Sequence, residues 1–515
     1  MTHRAWPIQR PPARLMVAIV GALAFLGMLG AWASASPPGS AADDDFHLAS
    51  IWCADGATSS GTCSASRVPH TETGVVLRNV PRAIGTWPCY RVNPDVGAGC
   101  LARTTDQLIS ARTNAGLYPP VFYRVMHTFV GTNVAASVLW MRWANAGLAL
   151  LLLGAALAVS TGRVRAAGAM AWGVGLVPLG MFFIPSTNPS SWSIIGLGAL
   201  PIFMLQFLQG GPGVRRVLAG IGSVVSFGIA VGARTDSPEF AAVIVCACAA
   251  GAVIARGRQI WPLLVLPLAM VLFAAYRFLF SGASAVAENG IGAGPAGPHT
   301  WHNAPPPRGF SLLMSNIWHL PHLIDALFGY GWGLGWVENS LPGLIGGVDM
   351  LVIALLLIRG LMIGRWPVWA GFLVAGGALI VVPLYVLQQS GAVVGSQVQP
   401  RYLYPLALAG LVVVLGAGEA VAGRRLVGPR GYLVVAAAVA LTNAYALWAT
   451  MSRYTTGLAH EHLDPGDNRV WWWHAALISP LATWLLGSLA GAVAMGSLVL
   501  LARRSAEQSP ELAAG

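Results

Sequence analysis

Three carboxylates and an imidazole stand together in Asp43-Asp44-Asp45-Phe46-His47, directly after the first long apolar run of the chain. A carboxylate held near a membrane surface can take the proton of an attacking hydroxyl while a neighbouring acid or a metal tunes it. The plain alternative is a solvated acidic collar at a helix end. Two adjacent carboxylates repel, which raises the pKa of one and makes it the better base. On that ground Asp44 is the expected base, Asp43 the group that orients or tunes it, and His47 the third catalytic candidate.

A second feature is Gln399-Pro400-Arg401-Tyr402, which opens a later apolar run. A guanidinium grips phosphate oxygens two at a time, so Arg401, with Gln399 and Tyr402 beside it, is the candidate phosphate ligand. An interfacial anchor is the competing reading. Arg234, followed by Asp236 and Glu239, offers a weaker version of the same chemistry. His319, His322 and Asp325, and His460, Glu461, His462 and Asp464, combine residue types that bind metals. Neither set has a recognised ligand spacing, and a polar helix face or interfacial loop explains each. No P-loop, dinucleotide glycine fingerprint or Gly-x-Ser-x-Gly elbow occurs, which argues against an ATP-driven pump.

The elements that must hold these residues are set by composition. Of 515 residues 56% are apolar and only 10% charged, with a mean hydropathy of +0.64, whereas a soluble domain carries about 25% charge. An all-α polytopic membrane protein follows. Crossing the hydrocarbon takes about 20 apolar residues, and about twelve candidate runs begin near Leu15, Ala135, Ala167, Ser191, Val217, Ala241, Trp261, Gly347, Val368, Tyr402, Tyr432 and Ala475. Pro185, Pro189 and Pro201 interrupt the runs from Ala167 to Leu208, so that hairpin is expected to be short or re-entrant. The expected organisation is a cytoplasmic N-terminus and first span over 1–35, an external loop over 36–133, spans two to seven over 134–280, a second external loop over 281–346, the remaining spans over 347–502 and a cytoplasmic tail over 503–515.

With the N-terminus cytoplasmic, the inner segments hold Arg4, Arg10, Arg14, Arg163, Arg165, Arg215, Arg216, Arg256, Arg258, Arg359, Arg365, Arg424, Arg425, Arg430, Arg503 and Arg504, against Glu419, Glu507 and Glu511. This is the positive-inside pattern, and it places both termini in the cytoplasm of a bacterial cell. The net charge of +11 is thereby accounted for by topology, with no basic face for a nucleic-acid partner. Arg14, the apolar run and Ala33-Ser34-Ala35 also resemble a cleavable signal peptide; the length of the run favours retention as a span.

Long loops inside a compact chain are usually functional, so activity is expected on the outer side. Cys53, Cys63, Cys89 and Cys100 fall in the first external loop, where disulfides are permitted. Sequence-near pairing, Cys53 with Cys63 and Cys89 with Cys100, is the expectation among three connectivities. Cys246 and Cys248 lie in a span and read as packing residues. The second loop joins a Gly/Pro-rich stretch, Gly290 to Arg308, to an amphipathic segment, Phe310 to Phe328, that suits the membrane surface. Trp471, Trp472 and Trp473 fit an aromatic belt.

The chain resembles an uncharacterised family of bacterial polytopic membrane proteins grouped with the GT-C glycosyltransferases. Asp43-Asp44-x-x-His47 is similar to the family's Asp-Glu-x-x-His, and Tyr118-Pro119-Pro120 to its Tyr-Pro-Pro. Gly335-Trp336-Val337-Glu338-Asn339-Ser340-Leu341-Pro342 resembles Gly-Trp-Leu-Asp-x-x-Leu-Pro, making Glu338 a secondary site candidate, and Gln399-Pro400-Arg401-Tyr402-Leu403-Tyr404-Pro405 resembles Gln-Gly-Arg-Tyr-x-x-Pro. The chain departs at Thr187-Asn188-Pro189-Ser190-Ser191, which stands where the family usually has Asn-Pro-Asp.

The resemblance implies a GT-C-like fold and transfer of a sugar from a polyprenyl-phosphate donor to a cell-envelope glycan acceptor at the outer face of the plasma membrane. It also implies Asp43 or Asp44 as base and Arg401 as phosphate ligand. Some GT-C enzymes need a divalent metal and others do not, which leaves the cofactor open. A non-catalytic scaffold of an envelope-assembly complex is one alternative. A lipid or polysaccharide carrier is the other, and the inverted repeats and charged mid-span residues expected of a carrier are not evident.

Overall fold

The computed structural model describes residues 13–67, 74–91, 93–101, 107–280, 308–336, 339–395, 398–422, 427–460, 462–466 and 478–507. Glu338, Glu461, Trp471, Trp472, Trp473, Arg4, Arg10, Arg424, Arg425, Glu511 and nearly all of the Gly/Pro-rich stretch fall outside these residues, as do the side chains of Arg14, Glu419, His460 and Glu507.

The chain is a helical bundle. Its long helices are α1 (Ala13–Ser34), α5 (Val134–Val159), α6 (Gly162–Gly175), α8 (Ser190–Gln209), α9 (Val214–Val231), α10 (Ser237–Arg256) and α11 (Val265–Phe280) in the first part of the chain. Then come α14 (Gly343–Ile363), α15 (Trp366–Gln389), α16 (Pro400–Ala422), α17 (Pro429–Thr455) and α18 (Pro480–Glu507). Each apolar run read from the sequence lies on one of them. Among the described residues nine stretches are long and apolar enough to span a membrane; one of these, Ser237–Phe280, contains both α10 and α11, and Pro400–Gly416 is shorter. α6 has only 14 residues, because the chain turns into a second short helix, α7 (Pro178–Phe183), before Pro185 and Pro189 bring it to α8. Of the hairpin expected to be short, the first limb is so, as α6 and α7, whereas Pro201 is accommodated inside α8, a continuous helix of 20 residues.

That hairpin is the centre of the bundle. α8 is apolar on every side (SSWSIIGLGALPIFMLQFLQ), the pattern of a helix with no solvent face, and it is almost wholly buried between α5, α6, α9, α10 and α16. Close approach is built into its sequence: a Cβ on Gly196 would lie 2.5 Å from the Ser226 carbonyl oxygen on α9, the small-residue contact that lets membrane helices pack without a hydrophobic driving force. α1 lies along α18 and α5, with Ala33 and Ala35 fully enclosed. The stretch that resembles a cleavage site is therefore part of the core.

The two ends of α8, about 30 Å apart, differ in charge. At its C-terminal end the Thr161 amide donates to Gln206 (3.0 Å), Arg165 donates to Leu157 O (2.8 Å), and Arg216 and Arg256 bind carbonyls at 208–210. At its N-terminal end lie Asp43, Asp44, Arg234 and Asp236, described below. Three inner-segment arginines of the sequence reading, Arg165, Arg216 and Arg256, thus share one end, and the acidic cluster occupies the other.

Residues 36–133 cover that second end. They form α2 (Asp44–Trp52), a hairpin of β1 (Val75–Pro81) and β2 (Leu108–Asn114) in antiparallel register from Val75↔Asn114 to Pro81↔Leu108, and the short helices α3 (Arg82–Gly85) and α4 (Pro120–His127). Their core joins Leu48, Ile51, Val80, Ile84 and Phe122 to Val138 and Met141 on α5 and Trp192 on α8, so the cap is seated on the bundle by apolar contact. Cys53–Cys63 and Cys89–Cys100 are disulfides, in the sequence-near pairing. Arg453 on α17, fully buried, donates to Val96 O (2.9 Å) and Tyr90 O (2.7 Å) and ties the second bridge to the bundle.

The amphipathic segment consists of α12 (Gly309–His319) and α13 (Pro321–Asp325). Leu312, Leu320 and Leu323 face inward, and Asn316 is bound to Ala392 O (2.9 Å) and Val394 N (2.8 Å). The outward side carries Phe310, Met314, Ile317 and Trp318. Both faces are apolar, which differs from the expected polar outer face and suits contact with lipid.

Candidate functional site

The backbone leaving α1 would strand its carbonyls in an apolar environment, where each unsatisfied group is costly. Arg142 on α5 prevents this. It donates from Nη1 to Ala33 O (2.9 Å) and Ser36 O (2.6 Å), and from Nη2 to Pro37 O (2.9 Å) and Ser40 Oγ (3.2 Å). Trp336 donates to Gly39 O (2.8 Å) and Asn188 to Ala42 O (2.9 Å). The segment 33–42 is thereby held on three sides and delivers Asp43 in a left-handed conformation, φ 63° and ψ 15°. Asp tolerates this better than most residues, yet such a φ outside glycine is uncommon and concentrates at functional sites.

The left-handed turn sends the neighbouring carboxylates in different directions. Asp43 forms an ion pair with Nη2 of Arg401; the Asp43 side chain is 33% exposed and that of Arg401 3%. Asp44 has no exposed surface. It accepts from the Ala41 amide (3.1 Å) and the Thr187 hydroxyl (3.4 Å). Asp45 lies 3.8 Å from Nη2 of Arg112 on β2. Thr187 opens the stretch, Thr187 to Ser191, in which the sequence departs from the family pattern, and its hydroxyl takes up Asp44.

Charge follows this geometry. Burial pushes the Asp44 carboxyl up to about 7, against the opposing pull of Arg142. The reason differs from the mutual repulsion expected of adjacent carboxylates: its minor like-charge neighbour is Asp45. Burial also acts upward on Asp43, but the paired Arg401 guanidinium outweighs it and holds that carboxyl below the usual range. Asp45 rises to about 6, from burial and then from Asp43. His47, 1% exposed, is pushed down to about 3 by burial and so stays neutral. Its Nδ1 shares a 2.9 Å hydrogen bond with the Tyr123 hydroxyl, and its ring meets Tyr118 edge-on at 5.2 Å. Asp44 and His47 are thus enclosed, and of these catalytic candidates Asp43 alone opens to the exterior of the cluster.

Arg234, in the turn between α9 and α10, completes the arrangement. It binds Asp236 through Nε (2.8 Å) and Nη2 (2.6 Å) and Ser190 Oγ through Nη1 (3.2 Å). Its guanidinium carbon lies 4.5 Å from the centre of the Tyr402 ring, and that of Arg401 4.9 Å from the same ring. Arg401 also donates to the Tyr402 hydroxyl (3.1 Å), and its buried Nε has no hydrogen-bond partner among the described residues. Two cations therefore share one phenol, each neutralised by one Asp, a balance that makes a buried ionic cluster tolerable. Glu239 does not join Arg234; its carboxylate oxygens are buried without hydrogen bonds. Gln399 contributes its carbonyl to the turn before α16, accepting from Tyr402 N at 3.0 Å.

Among the described residues no three His, Cys, Asp or Glu side chains converge as a metal site would require. Asp43 is committed to Arg401, Asp44 to N–H and O–H donors, and His47 to Tyr123, so these residues do not fit a divalent cation. His319 donates from Nδ1 to Ser315 O (2.8 Å), and His322 lies 3.9 Å from Asp325. His462 and Asp464 stand apart from the cluster, Asp464 capping the Gly466 amide at 2.7 Å.

The site thus unites Asp43-Asp44-x-x-His47, Tyr118 and Tyr123, Trp336 and Arg401-Tyr402, which the sequence scatters over most of its length. Arg142, Thr187 and Asn188 are the supporting residues that sequence reasoning missed. An arginine inside the apolar run of α5 was the available signal for the first.

Residues 26–409 match the model of a family described as "Predicted membrane protein (DUF2142)", and the chain belongs to that family. No curated protein matches the sequence. Two solved structures are similar in part. A crystal structure of ArnT from Cupriavidus metallidurans bound to undecaprenyl phosphate has 13% identity and a TM-score of 0.41, over 96% of this chain and 78% of that one. The apo state of the same protein has 15% identity and a TM-score of 0.34, over 75% of this chain and 68% of that one.

Proposed function

We propose that this member of the family is a membrane glycosyltransferase of GT-C type that moves a sugar from a polyprenyl-phosphate donor to a glycan acceptor of the bacterial cell envelope, on the outer face of the plasma membrane. The observation that carries the reading is the ion pair of Asp43 and Arg401. It sets a partly exposed carboxylate and a buried guanidinium with an unpaired Nε at the head of α16, whose following turns run into the apolar bundle. A cavity of about 250 Å³, lined along α16 by Leu403, Tyr404, Ala407, Leu408, Leu411 and Val414 and opposite by Leu323 and Phe328, lies directly beyond. A lipid phosphate at Arg401 would have room for its tail there. The Arg-rich far end supports a cytoplasmic assignment for that end by the positive-inside rule.

In this mechanism Asp43, rather than the enclosed Asp44, takes the acceptor proton. The acceptor oxygen forms a bond to the anomeric carbon as the bond from that carbon to the phosphate oxygen breaks, and the electron pair leaves with the lipid phosphate. Arg401, with Arg234 nearby, stabilises the charge that develops on it. While Arg401 pairs with Asp43 it weakens that base. A phosphate that draws the guanidinium toward itself restores basicity, so donor binding would switch the base on. Asp44 and Arg142 hold the segment that carries Asp43.

The test is transfer by membranes expressing the chain, supplied with a panel of polyprenyl-phosphate sugars. Incorporation into envelope glycan that disappears in Arg401→Ala supports the reading. Incorporation that is independent of the chain rejects it in favour of a scaffold.

A further inference from the structure

One exposed aromatic ring near the ion pair is left unused by this mechanism. Trp87 is 61% exposed, yet it is held as firmly as a core residue. Its inner side is filled by Arg91, whose guanidinium carbon is 3.9 Å from its ring centre and 4.7 Å from that of Trp336. Trp336 stands 6.4 Å away at 56° and is fixed by its bond to Gly39 O. The Cys89–Cys100 bridge begins two residues later. The Trp87 side chain lies beside Asp45. One Asp45 oxygen, Oδ1, is buried with no hydrogen-bond partner among the described residues, and the other lies 3.8 Å from Arg112, whose side chain is 43% exposed.

We infer that Trp87, Asp45 and Arg112 form a carbohydrate-binding platform on which a sugar ring of the acceptor glycan rests. A pyranose presents a face of C–H groups and a rim of hydroxyls. The first matches a large flat apolar ring with one free side, and the second matches a carboxylate and a guanidinium at its edge, which accept from and donate to hydroxyls. Asp45 is two residues from Asp43, so a glycan seated on Trp87 has its next residue near the base. A lipid-facing anchor would explain an exposed Trp, but not one backed by a guanidinium and set beside a carboxylate with a second cation at its edge. The platform names the acceptor's chemistry and rests on the glycosyl-transfer reading.

The test uses the full chain in lipid nanodiscs on an array of bacterial envelope oligosaccharides, with polyprenyl phosphate binding measured separately. The wild type should retain at least one oligosaccharide class, Trp87→Ala should bind it at least about tenfold more weakly, and Trp87→Phe should keep most of the affinity. Trp87→Leu, which keeps apolar bulk without a ring, should show the same loss and serves should the alanine variant not fold. No retained oligosaccharide, or equal retention by Trp87→Ala or Trp87→Leu, overturns the platform. If Arg401→Ala still loses polyprenyl phosphate in that case, the transfer reading survives its failure. Retention that needs Trp87, together with undiminished lipid binding by Arg401→Ala, keeps the platform and rejects the donor site.

Discussion

Asp43 and Arg401, 358 positions apart in the chain, meet as an ion pair in which the carboxylate is the exposed partner and the guanidinium the buried one. The asymmetry assigns different losses to the two residues. Removing Arg401 leaves Asp43 partly in water. Removing Asp43 leaves a buried cation beside Arg234.

Arg401→Ala should abolish detectable polyprenyl-phosphate binding and lower transfer by about 10²- to 10³-fold, the range for losing one well-placed donor to a developing anion. Arg401→Lys should restore less than a tenth of the loss, because an ammonium cannot fork between Asp43, Tyr402 and a phosphate. Lipid-binding measurements on the purified variants check this, and wild-type affinity in Arg401→Ala contradicts it.

Arg142→Ala should destabilise the protein by about 3 kcal/mol or more, since it strips hydrogen bonds from three buried carbonyls and a hydroxyl at once. Activity should fall with it, as Asp43 loses its support. Thermal unfolding in detergent measures the first effect, and an unchanged midpoint would show that the exit of α1 is held by other contacts.

The buried Asp44 makes stability depend on pH. Its folded-state value of about 7 lies above the ordinary 3.8, so between these limits the folded chain keeps a proton that the unfolded chain has lost. Its contribution is complete below about pH 4 and is lost as pH rises through about 7, amounting to a few kcal/mol. Asp44→Asn should flatten the dependence of unfolding midpoint on pH between 4 and 8. A variant whose pH profile overlays the wild type contradicts the assignment.

Both disulfides staple the cap, so Cys53→Ser and Cys89→Ser should each cost about 2–5 kcal/mol, whereas Cys246→Ser, outside any bridge, should cost less. Unfolding midpoints rank the three. Four free thiols in protein isolated without reductant would remove the bridges.

A tag inserted in the exposed turn at 55–61 should react with a membrane-impermeant probe in intact cells, and a C-terminal tag should not. The reverse labelling would invert the topology and put the Asp43 cluster in the cytoplasm.

Much of this architecture was legible because a bilayer imposes one rule: apolar runs must become helices that satisfy their own backbone. The cysteine pairs were legible because short loops bring their ends together. The roles of Asp43 and Asp44 were not, since the left-handed φ at Asp43 decides which carboxylate faces out, and no residue in the sequence marks it. Nor does any local signal connect Asp43 to Arg401 or Arg142 to Ser36, because those contacts are created by packing between distant helices. The stretch from Thr187 to Ser191 was noticed as a departure, but the bond of Thr187 to Asp44 follows only from the turn between α7 and α8.

The most direct test is the transfer rate of Asp43→Asn, measured in membranes beside its binding of polyprenyl phosphate. The amide keeps the size of the side chain and cannot accept the acceptor's proton. The account predicts a rate lower by about 10²- to 10⁴-fold, the usual contribution of a positioned base, with lipid binding retained because Arg401 is freed rather than lost. Transfer at the wild-type rate by Asp43→Asn would contradict it.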